Sequence, residues 1–138
     1  MRSMLKLLVL AGAVAAFAPA AAQNPAALAK ASGGLWEISG MPGAGSPLRQ
    51  CVADVAALAQ VEHRGRHCTR TVISDRPTSA TIHYSCGGSD FGESDIELIT
   101  PRSLRISTQG ISANLPFNYV IQARRVGDCS KSTAPSRH

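Results

Sequence analysis

Four cysteines, Cys51, Cys68, Cys86 and Cys129, are the residues of this chain with the most chemistry to offer. A thiol can ligate metal, act as a nucleophile or close a disulfide, and spacing separates these roles. No C-x-x-C occurs, which argues against a zinc ribbon or a thioredoxin-type redox pair. An even number of cysteines, all downstream of an export-like leader, reads as two structural disulfides in an oxidising compartment. Four cysteines allow three connectivities. The expected pairs are Cys51–Cys68, tying a helix to the strand after it, and Cys86–Cys129, tying a central strand to the C-terminus. No catalytic residue is assigned on this reading.

The other reactive side chains give weaker signals. His63 and His67, with Glu62 adjacent, would present two imidazoles on one face if a helix continued through them. A zinc site needs at least a third ligand, and Gly65 weakens the helix, so the pair reads as a solvated loop and only an alternative metal site. Asp90, Glu93, Asp95 and Glu97 suggest calcium, yet the last three alternate along a strand and share a face without wrapping an ion. His83 falls on the polar face of its strand. No Gly-x-Ser-x-Gly elbow and no phosphate-cradling glycine loop is present, so hydrolysis ranks third. No cofactor is implied.

These residues lie in a chain with an export leader. Arg2 and Lys6 precede the apolar run Leu7–Phe17, Pro19 breaks it, and Ala20–Ala22 offers a small-x-small cleavage site. Residues 1–22 read as a signal peptide, and no transmembrane segment is expected after cleavage. Without Arg2 and Lys6 the 14 basic residues become 12 against nine acids, a mature charge of about +3. The basic residues are dispersed, which excludes a nucleic-acid footprint. Arg64 with Arg66, and Arg124 with Arg125, are pairs that offer only weak contact with an anionic surface. Residues 23–33 read as a flexible leader, 34–129 as one disulfide-stapled domain and 130–138 as a disordered tail.

Within the domain, period-two patterning predominates. Trp36 and Ile38 share one face of an opening strand, residues 40–47 are loop chemistry, and Leu48–Cys51 fits a further short strand. Asp54–Val61 is the one helical stretch, capped by Asp54. Cys68–Ser74 and Thr81–Cys86 form strands joined around Asp75–Pro77. In the next hairpin, Leu98 opposite Leu104 also sets Ile96 opposite Ile106 and Glu97 opposite Arg105; a one-residue slip would turn the apolar set to solvent. That register centres the turn on Pro101 and requires an odd loop of three or five residues. A last strand covers Phe117–Arg125, with Phe117, Tyr119 and Ile121 on one face.

Gly34-Leu35-Trp36-Glu37-Ile38 after a signal peptide, Arg49-Gln50-Cys51 opening a helix, and the closing Arg125-Val126-Gly127-Asp128-Cys129 carry a resemblance. The chain from Gly34 to Cys129 resembles the secreted bacterial family catalogued as domain of unknown function 3617, and Cys68 and Cys86 fit its other two cysteines. It departs in having Val52-Ala53-Asp54 where a Thr-Pro-Glu-like helix start is frequent, and in shorter, Met-poor middle loops. The resemblance implies export in Gram-negative bacteria, to the periplasm, and carries no catalytic residues to transfer.

The expected fold is mainly β: a small antiparallel meander, curled sheet or partly closed barrel of about six strands, with one short helix and two disulfides. The expected function is a non-catalytic periplasmic binding or interaction module. A metal-binding protein using His63 and His67 is the alternative, and a secreted hydrolase stands third.

Overall fold

The computed structural model describes residues 12, 13, 15, 16 and 24–130; the signal-peptide reading and residues 131–138 of the tail lie outside them or nearly so. Among the described residues no helix is long and apolar enough to cross a membrane. The chain forms α1 (Ala26–Ala29), β1 (Gly34–Ser39), β2 (Leu48–Val52), a 3-10 helix (Val55–His63), β3 (Thr69–Asp75), β4 (Ser79–Ser85), β5 (Phe91–Thr100), β6 (Ser103–Ser112) and β7 (Leu115–Gly127). All seven strands join one antiparallel sheet in the order β2-β1-β7-β6-β5-β4-β3, which does not close. Seven strands stand against about six expected, and the short strand expected at Leu48–Cys51 is Leu48–Val52, paired along its length with β1.

Alternation explains why the sheet has one buried face. Trp36 and Ile38, Ile82 and Tyr84, Ile96, Leu104 and Ile106, and Ile121 with Ala123 all point inward and are almost fully buried. The 3-10 helix covers this face with Leu58, Ala59 and Val61, so the space between helix and sheet is filled rather than hollow. Asp54 caps that helix as expected, its Oδ1 accepting from the Ala56 N–H at 3.0 Å. A kink at Gln60 breaks the regular geometry, and the buried Gln60 amide donates to the carbonyl oxygen of Arg66 at 2.9 Å.

The β5–β6 hairpin has the expected register: Leu98 faces Leu104, Ile96 faces Ile106 and Glu97 faces Arg105. The five residues between the leucines resolve into a bulge at Ile99, the Thr100–Ser103 pair and a two-residue turn, Pro101–Arg102. The bulge keeps the parity odd while allowing a tight turn.

The disulfide pairing corrects the sequence expectation. Cys68 bonds Cys86, and Cys51 bonds Cys129. Thr69 pairs with Ser85 in the β3–β4 ladder, so the next position outward sets Cys68 across from Cys86. At the other edge, Leu35 of β1 lies between Cys51 of β2 and Gly127 of β7. The chain beyond Gly127 therefore reaches across the end of β1 to Cys51, with Cα atoms 5.6 Å apart. Every cysteine is in a bridge, as expected.

The leader also differs from its expected flexibility. Ala26–Ala29 forms one helical turn, and Ala27 and Leu28 are fully buried. It is fastened at both ends: the Ala26 N–H donates to Asp75 Oδ1 at 2.8 Å, and Trp36 Nε1 donates to the Ser32 carbonyl at 3.1 Å.

Candidate functional site

Polar chemistry gathers at one end of the inner face. There the cross-strand rows read Ile82–Ser94–Thr108–Tyr119 and then Tyr84–Gly92–Gly110–Phe117. Ser94 donates from Oγ to the Ala59 carbonyl at 2.5 Å and is hydrogen-bonded to Thr108 Oγ1 at 2.8 Å, tying sheet to helix. The two glycines make room for the aromatic rings. A Cβ on Gly92 would run into the Tyr84 phenol, and one on Gly110 would run into the Phe91 carbonyl and the Phe117 ring.

His63 closes the end of the 3-10 helix over these rings. It is buried, stands edge-on to Tyr84 and Phe117, and its Nδ1 lies 3.2 Å from Tyr84 Oη. Nε2 has no hydrogen-bond partner and lies 4.0 Å from Asp90 Oδ2. Asp90 is a junction: it pairs with Arg66 Nη1, and its Oδ1 accepts the Ala113 N–H at 3.0 Å. Arg66 also donates to the Cys86 carbonyl at 2.9 Å. Burial pushes the Tyr84 phenol up to about 12, against the pull of its bond with Thr108. The Arg66 hydrogen bond holds the Asp90 carboxyl below its ordinary value.

A carboxyl held low contributes stability that is present above its unfolded pKa and lost as pH falls through the folded one. Asp90→Asn should therefore lower the urea midpoint at neutral pH. The variant and parent curves should converge in acid, below the usual carboxylate range. A difference that persists unchanged there would assign the effect to packing.

A Tyr84–His63–Asp90 series has the residue types of a proton relay. A general base must reach the proton it abstracts from substrate, and here His63 and Tyr84 are sealed inside. The relay types are spent on holding together the 3-10 helix, the β4–β5 turn and the β6–β7 turn.

The metal pattern does not assemble as read from sequence. The helix ends at His63, which faces inward, whereas His67 is exposed beyond Gly65. Among the described residues no group of three His, Cys, Asp or Glu side chains could hold a metal ion. Glu93, Asp95 and Glu97 share the outer face of β5 as expected, with Thr81 Oγ1 donating to Asp95 at 2.6 Å. Asp90 belongs to the Arg66 junction instead. His83 is half-buried against Phe91.

The paired arginines are also engaged. Arg124 and Arg49 flank Glu37 on the outer face at 3.6 and 3.2 Å. Arg125 donates to the Gly33 carbonyl and to Asp128, and Arg64 donates to the Val61 carbonyl.

An opening lies beside the polar end. A surface hollow of about 610 Å³ lies among Met41, Pro42, Glu62, Arg64, Phe117 and Tyr119. At its wall Tyr119 donates its hydroxyl proton to Glu62 Oε2 at 2.6 Å, and burial followed by this bond raises the Tyr119 pKa. Phe117 and Tyr119 lie with ring centroids 5.8 Å apart. Aromatic surface, a carboxylate and a guanidinium thus converge where solvent reaches them. Sequence alternation put Phe117 and Tyr119 on one face, but Glu62 is 57 residues away and gave no signal. Comparison with protein-family models, with curated proteins and with solved structures finds no match to this chain.

Proposed function

We propose that this chain is an exported, disulfide-stapled binding module, without catalytic activity, that takes its ligand in the hollow beside Phe117 and Tyr119. The observation that carries the reading is the contrast between two neighbouring clusters. The His63 and Tyr84 side chains capable of acid–base work are locked in the interior and Asp90 is tied up by Arg66, whereas Glu62, Arg64 and the two rings line an opening. A recognition site needs a concavity with a few convergent polar groups to orient its ligand, and here a carboxylate and a guanidinium supply them beside the two rings. The two disulfides fit an oxidising compartment, and export to the periplasm agrees with the leader and with the resemblance to the domain-of-unknown-function 3617 family. The interior between helix and sheet is filled, so recognition falls to the surface.

The test is a photo-crosslinking side chain in the exported protein at exposed Asn118, on the rim of the hollow, with Arg124 on the outer face as control. A discrete adduct at Asn118, absent at Arg124 and at least tenfold weaker with Arg64→Glu, is the expected result. No adduct at Asn118, or hydrolase turnover abolished by Glu62→Gln, would overturn the reading.

A further inference from the structure

The sheet ends on β3, seven residues long, with six of them exposed. One edge of β3 pairs with β4, and among the described residues no strand pairs with the other. Val72 and Ile73 stand 43% and 61% exposed there. Such an edge templates another strand unless something blunts it. The opposite edge of the sheet, β2, is five residues long and has Cys51 bonded to the chain end.

We propose that two copies of this chain pair through β3 about a two-fold axis, with Arg70 opposite Asp75, Thr71 opposite Ser74, and Val72 opposite Ile73 of the second copy. The bulge in β3 decides the register. A two-fold axis normal to the sheet keeps its faces, so residues set opposite one another must share a face. In an unbroken strand they are then an even number apart. Here the β3–β4 ladder shifts between Val72 and Ser74. Arg70 pairs with buried Tyr84 and Asp75 with buried Ala80, so these two, five apart, both lie on the inner face. Thr71 pairs with His83 and Ser74 with Thr81, so these two, three apart, both lie on the outer face. Sliding the copies by one residue sets Arg70 against Ser74 or Thr71 against Asp75, mixing faces.

The register so selected is self-complementary. It joins two guanidinium–carboxylate pairs, two hydroxyl pairs and two central apolar pairs, each combination favourable across antiparallel strands. Arg70 keeps capacity for this contact, since its pairing with Asp54 is long at 3.7 Å, and Asp75 uses only Oδ1 on the Ala26 N–H. A small hollow of about 130 Å³ bordered by Val72, Ile82, Ala56 and Pro25 opens beside β3, next to where Ile73 of the second copy would lie. A bulge normally protects an edge from indiscriminate pairing; here it also admits one specific partner.

Sedimentation equilibrium of the oxidised exported protein, from micromolar to sub-millimolar concentration at low salt, should show a monomer–dimer equilibrium. Arg70→Asp and Asp75→Arg should each be monomeric, because each sets like charges against one another. An equimolar mixture of the two should dimerise again, since both contacts then join opposite charges. Ile73→Lys, at an exposed position that leaves the core intact, should weaken association at least tenfold. A monomer throughout, a dimer that survives Ile73→Lys, or a mixture that stays monomeric while both variants keep the parent circular dichroism would overturn the proposal. If a charge variant fails to fold, Ile73→Lys decides. The Asn118 adduct reports the hollow on β7, four strands from β3, and is independent of this outcome.

Discussion

Replacing Cys51 and Cys129 together with alanine should cost about 4.5 kcal/mol of unfolding free energy, against about 3 kcal/mol for Cys68 with Cys86, in the chain-entropy model of cross-linking. The difference comes from loop length: the outer bridge closes 78 residues and the inner one 18. For a domain of this size the larger figure is a substantial part of total stability. Urea denaturation of the parent and both double variants gives the comparison. An inner bridge that costs more than the outer, or any free thiol alkylated in the unreduced protein, would contradict this architecture. Single replacements serve as a further check, since Cys51→Ala alone should leave Cys129 reactive and Cys68 and Cys86 protected.

Leu28→Ala should destabilise the domain by about 2–5 kcal/mol, the range for a buried leucine whose cavity cannot fully collapse. Leu28 is fully buried and belongs to the main core with Trp36, Ile82 and Ile96, although it lies before the first strand. The effect is measured by thermal or urea unfolding. Leu35→Ala in β1, a half-buried position, provides a control with a smaller expected loss. A loss below about 0.5 kcal/mol for Leu28→Ala, the level of an ordinary surface substitution, would return residues 24–33 to the status of a loose leader.

How much of this was legible in the residues follows from which forces are local. The β5–β6 register could be derived because a one-residue slip exposes Ile96, Leu98, Leu104 and Ile106 together, a penalty visible in the pattern itself. Trp36 with Ile38, and Phe117 with Tyr119 and Ile121, share faces for the same reason. The disulfide pairing was not derivable from cysteine spacing, because it depends on β1 lying between β2 and β7, a long-range arrangement with no local signature. A trace of the inner bridge was present: the two strands flanking Asp75–Pro77 begin and end on Cys68 and Cys86. Leu28 escaped notice because a single helical turn is too short to show periodicity. The site was the least legible part. His63 and His67 advertised a metal pair through spacing alone, yet the helix stops at His63 and turns that ring inward. Gly92 and Gly110, placed inside strands, were the usable clue that aromatic rings must lie flat against the sheet there.

The nested bridges set an order of events for any chain that meets an oxidant N-terminus first. Cys51 and Cys68 are then available before either native partner, so the earliest disulfide they can form is one the folded protein lacks. Cys86 must arrive before the inner bridge closes, and Cys129 before the outer one does. Meanwhile β1 cannot gain its neighbour β7 until residues 115–127 are present, so the sheet stays open on one side of Trp36 until that strand has been made. Long loops of this kind close slowly. Maturation of this domain is therefore expected to depend on thiol–disulfide exchange that undoes early pairings, and its vulnerable period lasts until the final cysteine reaches Cys51.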